Sequence, residues 1–495
     1  MMMNTIKLMM FLLLVGISVS CDRFLDIKPK GIQIPEYYDD YLRLLNHKDM
    51  MYADAGFVSY ITDDILLGDN SVPFGQFEQA QEASQNLYAF AHGPIFSGGA
   101  SDAFYEKAYK RIYTFNVVIN NVGTCQDATE KEKQALIAEA KVCRAFEYLS
   151  LVNVYAKHYD SVTANSDLGV PVILSEDINK VYKRNSVQAV YDQIFKDLKE
   201  ALPYIPDEAA TPFRASKQFL YAFTAKLYLY MGKYGDALTA ALKVDQDQLQ
   251  LIDLTAYSIN PKANGMGRIW NEETGEVYPL PEDNPEAIYA RYGTDFLSLS
   301  RNVYASEDLK ALYRRDLPAG AVDQRRVLNY ADDTFKLYNN TYQFPGKSMW
   351  VAYTQPNLGM NSTEFFLILA ECYARSDEME QCLTILDRIR DKRIVGNVPL
   401  PRTTVQEALR LTLDERRREF ALQGGSLRLV DLKRLNREEP FKKDILHTVG
   451  EYRYSLPAND ERYVLPLPPA VISANPSIPV YPCLLYTSPS PRDRG

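Results

Sequence analysis

The chain has 495 residues, of which 46% are hydrophobic and 24% charged, and a formal net charge of −9. That length accommodates a large core and excludes a small disulfide scaffold, while the acidic balance disfavours nucleic acid as a partner. The one compositional anomaly is aromatic, with 35 tyrosines against 2 tryptophans.

The first element in chain order is a targeting signal: a lone charge at Lys7, an apolar run from Leu8 to Val19, then Ser20-Cys21. A membrane-spanning helix needs roughly 20 apolar residues, and this run is shorter, so residues 1–20 read as a secretory signal. A cysteine directly after the run predicts lipoprotein processing, with acyl chains on Cys21 as the membrane anchor, although Ser18 stands where the usual motif has Leu. At the far end, residues 483–495 resemble an in-frame translation of a sequencing adapter, so one folded domain is expected over 21–482.

Pro35-Glu36 opens a helix with Tyr38, Leu42 and Leu45 on one face, giving a helical element over about 35–50. Residues 52–100 lose that period and carry Gly, Pro and Ser with Phe74, Phe77, Tyr88 and Phe96, the signature of an ordered loop insertion. From the N-cap signal Ser101-Asp102, helical periods run to about residue 250, with breaks near Gly123 and between Asp160 and Ser186. Within this stretch Ala225, Tyr228, Gly232, Tyr234 and Ala237 match Ala370, Tyr373, Asp377, Met379 and Cys382 at offsets 0, 3, 7, 9 and 12. Small residues at the two ends let antiparallel helices approach, a large one fills the groove, and the middle position breaks the helix, as in a tetratricopeptide unit. Such units need neighbours, which predicts stacking of the helical runs at 101–157 and 403–436 and a frame that resumes over 361–440. Residues 251–360 form a second loop-rich insertion, rich in Pro, Gly, Asn and aromatics; alternating strand patterns are scarce. The expected fold is mainly α, a tetratricopeptide-like helix–turn–helix superhelix with loop-rich insertions.

Catalytic constellations are missing from the sequence. The histidines at 47, 92, 158 and 447 lack HExxH spacing, there is no Gly-x-Ser-x-Gly elbow, and Gly265-Met266-Gly267 is too short for a phosphate loop. No catalytic residue, metal site or cofactor is therefore expected. The adjacent acids Asp63-Asp64, Glu272-Glu273 and Asp332-Asp333 read as solvated loop residues, with calcium binding by Asp63, Asp64 or Asp69 as the alternative. Cys125, Cys143, Cys372 and Cys382 show no zinc spacing and read as buried thiols, with a Cys372–Cys382 disulfide as the alternative. The run Glu415-Arg416-Arg417-Arg418-Glu419, followed by Arg428, Asp431 and Arg434, predicts an ion-pair network between two helices. Binding falls to the loop aromatics, because a sugar's C–H face packs on a ring while its hydroxyls need amides or charges nearby. The candidates are Trp270, Trp350, Tyr292, Phe74 and Phe77, with Asn271, Arg291 and Gln76 as polar partners.

Several runs, taken in order, resemble the SusD/RagB family of nutrient-binding lipoproteins over about residues 20–480. They are Ser20-Cys21-Asp22-Arg23-Phe24-Leu25-Asp26 with Pro29; Ala138-Glu139-Ala140-Lys141 with Arg144-Ala145-Phe146 and Tyr148-Leu149; Gly169-Val170-Pro171; Tyr191, Ile194, Asp197-Leu198 and Ala201-Leu202-Pro203; Arg214-Ala215-Ser216-Lys217; Glu415-Arg416-Arg417 with Glu419; Arg428 with Asp431-Leu432-Lys433-Arg434; and Leu465-Pro466-Leu467-Pro468 with Asn475-Pro476. Gln423-Gly424-Gly425-Ser426 lengthens one turn relative to the family pattern. The resemblance implies a surface protein of the outer membrane that captures oligosaccharides, or in some members peptides, without cleaving them. It also implies delivery to a SusC-like TonB-dependent transporter. It assigns the shared motifs to the scaffold and none of them to the ligand. The competing classes are a surface glycoside hydrolase and a tetratricopeptide adaptor that binds only protein.

Overall fold

The computed structural model describes residues 35–53, 56–93, 95–98, 102–177, 179–263, 265–293, 299–423 and 425–481. The expected signal segment, the anchor position Cys21 and residues 483–495 lie outside the described residues.

Helix starts follow side-chain acceptors that satisfy the first free backbone N–H groups. Helix α1 (Tyr38–Leu45) covers the first predicted element, and the short α2 (Glu82–Tyr88) lies in the first insertion. Asp102 caps α3 (Ala103–Asn121), accepting from the Phe104 N–H at 2.9 Å. Thr129 and Glu132 cap α4 (Glu130–Tyr155) reciprocally, and Ser186 and Ser216 cap α5 (Val187–Ala201) and α6 (Lys217–Tyr230). After α7 (Tyr234–Ala241) the second insertion includes the short α8 (Glu307–Leu312) and α9 (Gln324–Asn329). The frame resumes with α10 (Ser362–Arg375), α11 (Met379–Arg390), α12 (Val405–Phe420) and α13 (Leu427–Leu435), and α14 (Pro469–Ala474) closes the described chain.

Helix α4 is buried on every face through its second half, which a charged sequence tolerates only if each charge finds a partner. Each does: Arg214 donates to Glu139 at 2.6 Å, Arg144 to Asp197 at 2.9 and 2.6 Å, and Arg111 to Glu147 at 2.8 and 2.9 Å. The run from Ala138 to Leu149 is thus the interior of the frame. One contiguous hydrophobic cluster extends from Tyr41 on α1 to Ile478 beyond α14.

The two matched segments are the pairs α6–α7 and α10–α11. Ala225, Ala237, Ala370 and Cys382 are fully buried where the helices meet. The turns coincide in detail: Gly232 and Asp377 both take positive φ, at 72° and 64°. Lys233 N–H donates to Tyr228 O at 2.9 Å and Glu378 N–H to Tyr373 O at 2.9 Å. Helix α10 packs on α7 and α12, so the pairs stack on one another as the repeat requires.

The β-hairpins escape the sequence reading. In the second insertion β3 (Tyr330–Leu337) and β4 (Asn340–Trp350) pair antiparallel, and with β1 (Ile65–Leu66) and β2 (Tyr304–Ala305) they form a sheet of order β1-β2-β4-β3. The sheet ties the first insertion to the second. Near the end of the chain β5 (Ile445–Val449) pairs with β6 (Tyr452–Leu456). Alternation along β3–β4 is broken by a bulge between Gln343 and Ser348 and by Asp333 at φ 58°, which hides the period of two.

The predicted ion-pair network is present and wider than expected. Arg416 and Arg434 both donate to Asp431, at 2.9 and 2.8 Å, and Arg434 reaches Glu371 at 2.6 and 2.8 Å, joining α12, α13 and α10. The expectation that Asp63-Asp64 is solvated, or holds calcium, is corrected here. Both acids are buried, Asp63 by Arg428 at 2.8 Å and Lys443 at 2.7 Å, and Asp64 by Arg417 at 2.7 Å, so they clamp the first insertion to the frame. Asp332 and Asp333 are exposed, as expected, and fix the bulge, accepting from Ser348 Oγ at 2.5 Å and Gly346 N–H at 2.7 Å. The four described cysteines are free and buried, which removes the alternative of a Cys372–Cys382 disulfide; Cys382 Sγ instead lies 3.2 Å from Thr412 Oγ1.

Candidate functional site

The predicted site residues fall at three places on the insertions and two in the interior. At the first place, residues 68–77 fold back on themselves through Gly68 N–H to Gly75 O and Phe77 N–H to Gly68 O, both 2.8 Å. Gly75 permits the turn: its φ is 59°, and a Cβ there would lie 3.1 Å from the Tyr304 ring. The turn sets Phe74, half-buried, against Tyr342 of β4 with ring centroids 4.7 Å apart, and against the edge of Phe335 at 6.3 Å. Gln76 donates to Val72 O at 2.5 Å, and its Oε1 is a buried acceptor with no protein partner. Exposed Asp69 and Asn70 flank the pair. Phe77 turns the other way, tilted against Tyr88 at 6.0 Å and stacked on Tyr454 of β6 at 6.1 Å.

The second place is the small hairpin of Tyr257–Ile259 with Ile269–Asn271. Trp270 is half-buried there, its indole N–H without a protein partner. Asn271 spends its side-chain carbonyl on the turn, accepting from Glu273 N–H at 2.9 Å and Thr274 N–H at 3.2 Å. The guanidinium of Arg268 sits 5.2 Å over the ring of Tyr353, and Tyr353 packs on both satellite hydrophobic clusters, so the first two places share a neighbour.

At the third place Tyr292 lies between Tyr52, at 5.4 Å, and Phe213, at 5.0 Å. The Asn357 side chain holds this segment, its Oδ1 accepting from Arg291 N–H at 2.7 Å and its Nδ2 donating to Tyr289 O at 3.0 Å. Burial, and then the nearby Glu282 carboxylate, push the Tyr292 phenol upward, so it stays a neutral hydroxyl.

Trp350 and Arg291 correct the sequence reading, because both side chains are interior. Trp350, 2% exposed, ends β4 inside the main core. Arg291, 1% exposed, lies 4.0 Å over the Tyr289 ring and donates to Phe213 O at 2.9 Å. Burial, partly offset by Cys143, pushes the Arg291 guanidinium down to about 10. Tyr342, Tyr353, Tyr52 and Phe213 are the partners that sequence ranking missed. Tyr342 is separated by one residue from Phe344, which is fully buried, and a half-seen strand period there is the signal that marks it.

A helical frame whose charges are largely paired internally, with insertions that hold half-exposed rings beside amides and charges, defines a binding protein on a tetratricopeptide-like scaffold. A family model described as "Starch-binding associating with outer membrane" matches residues 51–229, and the SusD family model matches residues 331–482. The chain belongs to the SusD/RagB family. SusD-like protein P2 of Formosa agariphila is 28% identical over 236 residues, 47% of this chain, and the match spans 44% of that relative's length. A SusD superfamily protein from Bacteroides thetaiotaomicron superposes with a TM-score of 0.69 at 20% identity, covering 90% of this chain and 100% of that one. A SusD-like carbohydrate binding protein from Bacteroides vulgatus does so with a TM-score of 0.61 at 16% identity, covering 92% and 99%. At these identities the two structures share the fold. Among the described residues no helix is long and apolar enough to cross a membrane.

Proposed function

We propose that this protein captures oligosaccharides at the cell surface and passes them, uncleaved, to a SusC-like TonB-dependent transporter, held to the outer membrane by acyl chains on Cys21. The observation that carries the reading is the half-exposed pair Phe74 and Tyr342, 4.7 Å apart on the sheet that joins the two insertions. Such a pair offers a sugar two ring faces, and Gln76 Oε1 with Asp69 and Asn70 offers its hydroxyls acceptors and donors. Trp270 with Asn271, Tyr292 and Phe77 are further contacts of the same kind. Of the adjacent acid pairs, two are engaged elsewhere: Asp63 and Asp64 with cations, Asp332 and Asp333 with the bulge.

The test is calorimetric titration of residues 22–482 with a panel of oligosaccharides and peptides, with product analysis of every mixture. Saturable binding of one glycan class without new reducing ends is expected, and Phe74→Ala with Tyr342→Ala should weaken it by about tenfold. Cleavage of the glycan, or binding of peptides alone, would overturn the reading. The anchor is tested separately, by metabolic labelling with palmitate, which Cys21→Ser should abolish.

A further inference from the structure

A second concave surface lies on the frame itself, built from none of the residues at the three places above. It is a cleft of about 530 Å³ between α3, residues 171–177 and 179–182, and the stretch from α14 to Ile478. That volume is in the range of small-ligand sites. Along α3 the tyrosines at 105, 109 and 113 occupy successive turns, so their rings share one face. They form a ramp. Tyr105 at the floor is 5% exposed and its ring is 4.7 Å from that of Tyr109, whereas Tyr113 at the mouth is 45% exposed.

Tyr182 also lines the cleft, with a buried hydroxyl that has no hydrogen-bond partner in the protein, and Lys180 sits 5.4 Å from its ring centroid. The walls are fixed before any ligand arrives. Tyr109 donates to Pro171 O at 2.8 Å, Asn116 to Ile173 O at 2.9 Å, and Asn475 to Tyr182 O at 2.7 Å, which ties the three walls to one another. A preformed cleft loses little entropy on binding.

We propose that this cleft is a second carbohydrate site, taking one or two pyranose units of a neutral oligosaccharide with their C–H faces against Tyr109 and Tyr113. Tyrosine rings lined along one helix face, the first two tilted at 44° to each other, and an unpartnered phenol match the amphipathic surface of a sugar better than that of a lipid, whose chains leave the phenol unpaired. Charge narrows the class. Among the described lining residues the carboxylates of Glu176 and Asp177 outnumber the ammonium of Lys180, which repels uronates and sulfated sugars and admits neutral ones. The inference rests on the reading that the protein captures glycans and extends it: one polysaccharide strand engaged at two places gains avidity that neither site has alone.

The experiment titrates the protein with maltohexaose, laminarihexaose and xylohexaose, and fits the stoichiometry for the wild type, Tyr113→Ala, Tyr113→Phe, and Phe74→Ala combined with Tyr342→Ala. Tyr113 is exposed, so its replacement leaves the fold intact. Two sites per chain are expected for at least one hexasaccharide. Tyr113→Ala should weaken one of them about tenfold, Tyr113→Phe should retain it, and the insertion variant should weaken only the other. A single site, indifferent to Tyr113→Ala but lost in the insertion variant, overturns the second site and leaves glycan capture standing. Binding of no hexasaccharide overturns both. Tyr113-dependent binding of an extended peptide that sugars do not displace overturns the carbohydrate assignment of the cleft.

Discussion

Asp63 shows how little of this molecule's charge is free for chemistry. It lies 6% exposed beneath Arg428, Lys443 and Arg417, and although burial alone would raise its carboxyl, these three cations hold it well below the usual carboxylate range. Removing it strands buried positive charge, so Asp63→Ala is expected to lower unfolding free energy by about 3–5 kcal/mol, read from denaturant titration. Glu415 and Asp431 make the same point through pH. Burial raises both, and the arginines around them, Arg325, Arg418 and Arg390 for Glu415 and Arg416 and Arg434 for Asp431, more than reverse it, leaving each at about 2. A carboxyl whose folded value lies below its unfolded one contributes stability above the unfolded value and loses it as pH falls toward the folded one. The urea midpoint is therefore expected to fall steadily between about pH 5 and pH 2; a flat profile across that window would contradict the paired arrangement. Trp350 separates packing from binding: Trp350→Phe should lower the melting temperature while glycan affinity stays at its wild-type value, because the indole lies in the core.

At the level of elements, the turn between paired helices is the most legible feature. Gly232 and Asp377 were matched by offset alone, and both prove to be the left-handed residue of their turn. Only glycine adopts that conformation without cost, so Gly232→Ala should destabilise by about 1 kcal/mol and Asp377→Gly should stabilise by up to about 1 kcal/mol, measured by thermal unfolding. One cap was equally readable, since Asp102 sits where helical period begins, whereas the caps Ser186 and Ser216 emerge only in the structure. The hairpins were not, because the β3–β4 bulge resets alternation midway and only Tyr330 and Phe335 of β3 are buried. The site was half legible for a related reason. Phe74 stands out as an aromatic in a Gly- and Pro-rich loop, but nothing local separates it from Trp350, and only tertiary packing decides which ring is covered.

For the molecule as a whole, the structure divides labour between a frame fixed by buried pairs and insertions that carry the half-exposed rings. The four described cysteines belong to the frame: Cys143, Cys372 and Cys382 are buried thiols, pushed up chiefly by burial, Cys382 to about 11. A thiol reagent at neutral pH should leave the described thiols unmodified in the folded protein and modify all four after denaturation; prompt reaction in the folded state would show the frame opening. The central claim is that the insertions meet the nutrient. It is tested most directly by a crystal structure of residues 22–482 with the tightest-binding oligosaccharide of the panel. The account predicts sugar rings stacked on Phe74 and Tyr342, with hydroxyls at Gln76 and Asp69. Saccharide absent from the insertions altogether, with Phe74 and Tyr342 packed only against protein, would contradict it.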